Sequence, residues 1–171
     1  MKTFIYLFIF SSIAFCQNNI NRNTLPKESL VEKTRYTGYR LGTITYSKLF
    51  RDFLENDWDS PSTLVQVGWE TKSIIYPTDN SPKAFTKSMC LIAGLEHGLF
   101  LPQFNWQMGL ITKNNLEIGI GPYLTFIGTA LILSVENRKG SGVLTYPVSI
   151  GIAIQKNEFA LSLLVGFETP N

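Results

Sequence analysis

Between Val143 and Gln155 the chain alternates strictly: Leu144, Tyr146, Val148, Ile150, Ile152 and Ile154 are apolar, while Thr145, Pro147, Ser149, Gly151 and Ala153 are small or polar. A period of two is the mark of a strand, whose successive side chains point to opposite faces. The next run carries its apolar set, Phe159, Leu161, Leu163, Val165 and Phe167, on odd numbers instead of even ones. For the two sets to share one face, the numbers of paired residues must sum to an odd value. A sum of 313 pairs Ile154 with Phe159 and Tyr146 with Phe167, sets Gln155 against Glu158, and leaves Lys156-Asn157 as a two-residue turn. Two-residue turns are the favoured hairpin connection, and Asn tolerates the positive φ they require.

The same pattern recurs from Gly38 onward. Glycine and turn residues divide the chain into strands expected at about 38–47, 64–76, 84–96, 99–112, 116–124, 129–137, 142–155 and 158–168. In the fourth, Phe100, Pro102, Phe104, Trp106, Met108 and Leu110 share a face; in the fifth, Leu116, Ile118, Ile120 and Leu124 do. The phase then shifts to Thr129, Leu131, Leu133 and Val135, with Gly128 supplying the backbone freedom for a turn. The stretch 48–62 is not strand-like and is expected to form a short helical turn leading into a loop, with Leu49, Phe53 and Leu54 on one side. Its acidic residues Glu55, Asp57 and Asp59 lack the glycine and distal glutamate of a calcium loop, so a solvated loop is expected. The expected fold is all-β: a single antiparallel up-and-down barrel of about eight strands occupying 38–171, after an N-terminal signal peptide (1–16) and a polar leader (17–37) that allows a short helix at 26–33.

Such a barrel has an apolar face either inside, as in soluble ligand-binding barrels, or outside, as in membrane barrels. The other face decides between them. On the last four strands it consists of Gly, Ala, Ser and Thr, with Gly151, Ala153, Ala160, Ser162 and Gly166 together in the final hairpin, and charge is concentrated at Arg138, Lys139, Lys156 and Glu158, which are expected in turns. A water-facing surface calls for charge along the strands, at roughly a quarter to a third of positions; the whole chain is only 16% charged. A narrow eight-stranded barrel, by contrast, needs small residues inside. Lipid-facing positions are therefore expected at Leu144, Tyr146, Val148, Ile150, Ile152, Phe159, Leu161, Leu163, Val165 and Phe167. Phe159 and Phe167 are about 26 Å apart along a strand, which projects to roughly 20 Å once tilted, near the ~25 Å apolar band of a membrane barrel.

Location follows from the first residues. MKTFIYLFIFSSIAFC has one Lys, an apolar run too short to span a bilayer as a helix, and small Ala14 and Cys16 before a polar stretch, the layout of a cleaved signal peptide. An acylated Cys16 would be the alternative, but bulky Phe15 precedes it. Cleavage leaves Cys90 as the sole cysteine, which excludes an intramolecular disulfide and a CxxC site. A net charge of +2 with no basic cluster argues against nucleic acid as a partner.

From Gly38 to Glu168 the pattern resembles the small eight-stranded outer-membrane barrels of Gram-negative bacteria, and GLEHGLFLPQFNW (94–106), LEIGIGPYLTF (116–126) and LLVGF (163–167) are similar to segments of uncharacterised exported barrel-like proteins. The resemblance implies an outer-membrane location, a monomer, and membrane lipid and the barrel-assembly machinery as partners. In such barrels that machinery reads a terminal aromatic residue; here Phe167 is followed by Glu168, Thr169, Pro170 and Asn171.

No catalytic constellation emerges. His97 is the one histidine, and the serine two residues on that a lipid-deacylating barrel would place beside it is Leu99; no base partner is defined for Ser88 or Ser134. Gly119-Ile-Gly121 lacks the third glycine and the helix of a dinucleotide site, so the glycines are expected to relieve crowding inside the barrel. One histidine and one cysteine cannot build a usual zinc site, and no cofactor is expected. Glu70, Lys72, Glu117 and Glu168 are strand charges expected to point inward and pair. The expectation is an exported outer-membrane barrel with a structural or interaction role and no enzymatic activity; a soluble periplasmic or extracellular barrel holding a small hydrophobic ligand is the first alternative, and a lipid-modifying membrane enzyme the second.

Overall fold

The computed structural model describes residues 32–47, 50, 52, 54, 56, 60–76, 82–126, 128–140, 143–156 and 158–171. Eight antiparallel strands run in chain order: β1 (Glu32–Tyr46), β2 (Thr63–Tyr76), β3 (Lys83–Ala93), β4 (Leu101–Ile111), β5 (Leu116–Thr125), β6 (Gly128–Lys139), β7 (Tyr146–Gln155) and β8 (Glu158–Pro170). Each pairs with its sequence neighbours, and β8 pairs with β1, so the sheet closes into a barrel with no free edge.

The geometry of closure follows from the register. Passing from partner to partner, Thr34–Ile74–Phe85–Gly109–Gly119–Ser134–Gly151–Ser162, one circuit returns to β1 at Ile44, ten residues beyond its start. Eight strands about 4.8 Å apart, rising about 3.3 Å per residue with that stagger, tilt about 40° from the axis and enclose a backbone radius of about 8 Å. An interior of that width has room for side chains and nothing wider.

The last hairpin adopts the expected register: Ile154 faces Phe159, Gln155 faces Glu158, and the same sum persists to a bridge between Thr145 and Glu168. Lys156 takes the positive φ of the turn, at 47°; Asn157 lies outside the described residues. Gly128, at φ 146°, opens β6 where the phase shifts. Three boundaries differ most from expectation, at the start of β1, the end of β3 and the start of β7, which begins at Tyr146 instead of 142. β1 starts at Glu32, so the end of the expected polar leader belongs to the barrel. Its outward residues there, Lys33, Arg35 and Thr37, are polar, which removes the alternation by which a strand is recognised. β3 ends at Ala93, because Gly94 and Gly98, both left-handed, bracket a single 3-10 turn over Leu95–His97. Between β1 and β2, Phe50, Asp52, Leu54 and Asn56 have helical backbone; the signal region, residues 26–31 of the possible leader helix, and Glu55, Asp57 and Asp59 lie outside the described residues.

Inside, the barrel is layered. At the end where β1 finishes, Tyr46, Phe50, Leu54, Leu64, Leu101 and Tyr123 form an apolar plug, within which Gln103 donates to the Tyr46 hydroxyl at 2.9 Å and accepts from Tyr123 at 2.5 Å. At the end where β1 starts, Ile74, Phe85 and Ile111 pack with Tyr36 and Tyr76. Charge lies between.

Candidate functional site

Two surfaces define what the barrel can do: the outer wall and the charged interior. All ten positions expected to meet lipid face outward. Leu144 precedes β7; Tyr146, Val148, Ile150 and Ile152 lie along it, and Phe159, Leu161, Leu163, Val165 and Phe167 along β8. The contrast between neighbours is sharp: Ile150 is 55% exposed and Ser149 4%. The apolar wall continues around β4–β6 through Phe104, Trp106, Met108, Leu110, Ile118, Ile120, Leu131 and Leu133, all exposed. Tyr39 packs at a tilt against Phe167 across the closing seam, with ring centroids 5.5 Å apart. Isolated exposed apolar residues are ordinary on a soluble protein, but a continuous apolar wall of this extent is not.

The interior inverts the usual polarity. Arg40 (β1), Glu70 and Lys72 (β2), Lys87 (β3), Glu117 (β5), Glu136 and Arg138 (β6) and Glu168 (β8) converge in one layer, four cations against four carboxylates. The Arg40 guanidinium meets Glu70 at 2.7 Å, Glu136 at 3.0 Å and Glu168 at 2.7 Å. The Lys72 ammonium lies 2.6 Å from Glu136, 2.9 Å from Glu168 and 3.0 Å from Glu117. Lys87 reaches Glu136 at 3.1 Å, and Arg138 reaches Glu168 at 3.0 Å while its guanidinium lies over the Tyr36 ring. Charges removed from water are costly unless each is met by opposite charge and hydrogen bonds. Among the described side chains the count is balanced, and the pairs cross from one wall to the other.

Glycine makes the room. Arg40 is flanked by Gly68 on β2 and Gly166 on β8, and Gly38 faces both Glu70 and Glu168. A Cβ on Gly166 would come within 2.9 Å of Arg40 Cδ, and one on Gly38 within 2.9 Å of Glu168 Cγ. Gly119 plays the same part beside Gln107, Phe85 and Ser134, and Gly121 lets β5 approach the β4 backbone at Trp106.

Glu70, Lys72, Glu117 and Glu168, singled out in the sequence, all point inward and are members of this network. Arg138, expected in a turn, points inward from β6 instead; a turn there would need the strand to end at 137, and pairing of Lys139 with Tyr146 extends it. Arg40, Lys87 and Glu136 were legible only as charges on the parity that also carries small or inward residues: Gly38 and Gly42, Phe85 and Met89, Ile132 and Ser134. The carboxylate oxygens of Glu70, Glu136 and Glu168 come within 4.8 Å of one another, a spacing that suits a metal ion. The Arg40 and Lys72 side chains already hold that position as counter-charge.

Above the charged layer, Ser134 donates to Gln107 at 2.5 Å and Gln107 donates to Asn105 at 3.0 Å. They border an internal cavity of about 10 Å³, space for about one water. His97 sits on the exposed 3-10 turn at the rim, 3.9 Å from Glu96. Ser88 faces outward on β3, and Ser134 is committed to Gln107 inside the barrel.

No protein-family model matches the chain, and no curated protein does. Among solved structures it is similar to the backbone structure of the Yersinia pestis outer membrane protein Ail in a phospholipid bilayer nanodisc, at 11% sequence identity and a TM-score of 0.49, covering 80% of this chain and 99% of that one.

Proposed function

We propose that the chain is an exported outer-membrane barrel that serves as a membrane-embedded structural or interaction module, without catalysis and without a conducting pore. One observation carries this reading: the outer wall is apolar over most of its circumference, and the strand charges converge inside. That is the arrangement a bilayer rewards and water penalises, since lipid requires every backbone polar group to be paired within a closed sheet and side-chain charge to be turned away from the acyl chains. The plug and the ion-paired layer occupy the lumen of a barrel with a radius of about 8 Å, which favours a filled wall over a channel. The same filling disfavours a soluble carrier, whose ligand would need the space that Arg40, Lys72 and their carboxylates occupy.

Reconstitution tests this. The exported chain inserted into sealed vesicles is expected to leave them impermeable to potassium and to a small entrapped dye, and in planar bilayers to give no stepwise conductance. Steady conductance steps would show an open path and contradict the filled lumen.

A further inference from the structure

The outer wall is not apolar all the way round. Where β1 starts, its outward side chains are Lys33, Arg35 and Thr37; beside them on β2 stand Ile75, Ser73 and Thr71, and on β3 Thr86 and Ser88. The register brings these into rows: Arg35 pairs with Ser73 and Ser73 with Thr86, while Thr71 pairs with Ser88. Directly opposed side chains in such rows lie about 5 Å apart. The stagger of ten residues over eight strands raises equivalent heights by little more than one residue per strand. With that offset, the height of Thr71 and Thr86 is occupied on β4, β5, β7 and β8 by Met108, Ile118, Val148 and Phe167 and on β6 by the stretch between Val135 and Asn137, while Arg35 and Lys33 lie nearer the rim. The patch is therefore a polar notch cut into one side of the apolar band, bordered by Tyr39, Trp69, Cys90 and Phe104, which form the adjoining row. No outward acid lies on β1–β3 among the described side chains.

We propose that this notch binds the phosphate of an anionic phospholipid headgroup drawn to the edge of the bilayer; the proposal rests on the membrane reading above. Hydroxyl groups facing acyl chains lose hydrogen bonds to water, a cost that a phosphate beside them removes by supplying acceptors. The guanidinium of Arg35 presents parallel donors that match two phosphate oxygens, and Lys33 adds a mobile second charge at the rim. A zwitterionic headgroup brings an ammonium that these two cations repel, so the charge balance selects a lipid with net negative charge.

The test uses the exported chain folded into vesicles of phosphatidylcholine alone or mixed with phosphatidylglycerol, then gently extracted and weighed by native mass spectrometry for retained lipid. Phosphatidylglycerol is expected to be retained in preference to phosphatidylcholine, and Arg35→Gln is expected to lower its retention on the order of tenfold, as loss of a charge-assisted contact does. Thr86→Val, which keeps the shape and removes the hydroxyl, is expected to lower retention in the same direction, while Lys139→Gln, a cation on β6 at the same rim, leaves it unchanged. Equal losses in Lys139→Gln, or no preference for phosphatidylglycerol in the unaltered chain, would overturn the site. Gel mobility with and without boiling separates this from the parent reading: a folded, heat-shifted barrel that ignores phosphatidylglycerol defeats the notch alone, whereas a chain that never shows the shift in any vesicle defeats membrane insertion and the notch with it.

Discussion

Arg40→Met is expected to destabilise the folded barrel by about 3–5 kcal/mol, the range seen when one partner of a buried ionic cluster is removed. The side chain is buried and meets Glu70, Glu136 and Glu168, which come from three different strands. Its loss leaves four carboxylates facing three cations in a closed interior, and methionine offers them no donor. Urea unfolding in lipid vesicles, followed by tryptophan fluorescence, measures the change. A second substitution locates its origin: Arg40→Met combined with Glu168→Gln restores the charge balance and is expected to recover part of the loss, because those two residues pair directly across the seam between β1 and β8. If Arg40→Met unfolds at the same urea concentration as the unaltered chain, the ionic layer does not hold the barrel closed.

Ile150→Lys addresses the other wall. Ile150 lies midway along β7, on the outer face between Leu163 on β8 and Val135 on β6. A lysine at the midplane of a lipid-facing barrel wall costs about 2–4 kcal/mol, falling towards zero near the interfaces. The expected outcome is a loss of that size for Ile150→Lys and a much smaller one for Thr169→Lys, near the edge. In a soluble barrel with this outward face in water, a lysine at position 150 would be neutral or favourable to solubility, so the sign of the effect separates the two environments.

The extent to which the sequence disclosed this structure depended on which face a residue occupies. The hairpin of β7 and β8 was readable to the individual pair, because both strands alternate without interruption, which requires an odd sum of paired residue numbers, and the sum of 313 puts Lys156-Asn157, with a residue that tolerates positive φ, in the two-residue turn. β1 was not, since its first outward residues are Lys33, Arg35 and Thr37 and its inward ones include Gly38 and Gly42; neither parity is apolar there, although both are explained once Glu70, Arg40 and Glu168 must be accommodated. The charged layer was half visible. Single charges within strands announced Glu70, Lys72, Glu117 and Glu168, but the convergence of Arg40, Lys87, Glu136 and Arg138 on them depends on how far each strand is staggered round the barrel, and that quantity belongs to the closed sheet. Closure itself, the pairing of β1 with β8, joins residues 128 apart in the chain, Arg40 and Glu168, across a seam that local patterning does not mark.

If the outward apolar wall meets lipid and the inward face does not, adjacent residues on β7 must differ in which small molecules reach them. With Cys90 replaced by serine, a nitroxide is attached at position 150 in one variant and at position 149 in another, and each is folded into vesicles. The label at 150 is expected to be relaxed strongly by oxygen, which concentrates among acyl chains, and weakly by a water-soluble nickel chelate, while the label at 149 is shielded from both. Strong relaxation by the nickel chelate at position 150 would place that face in water and rule out a lipid-facing wall.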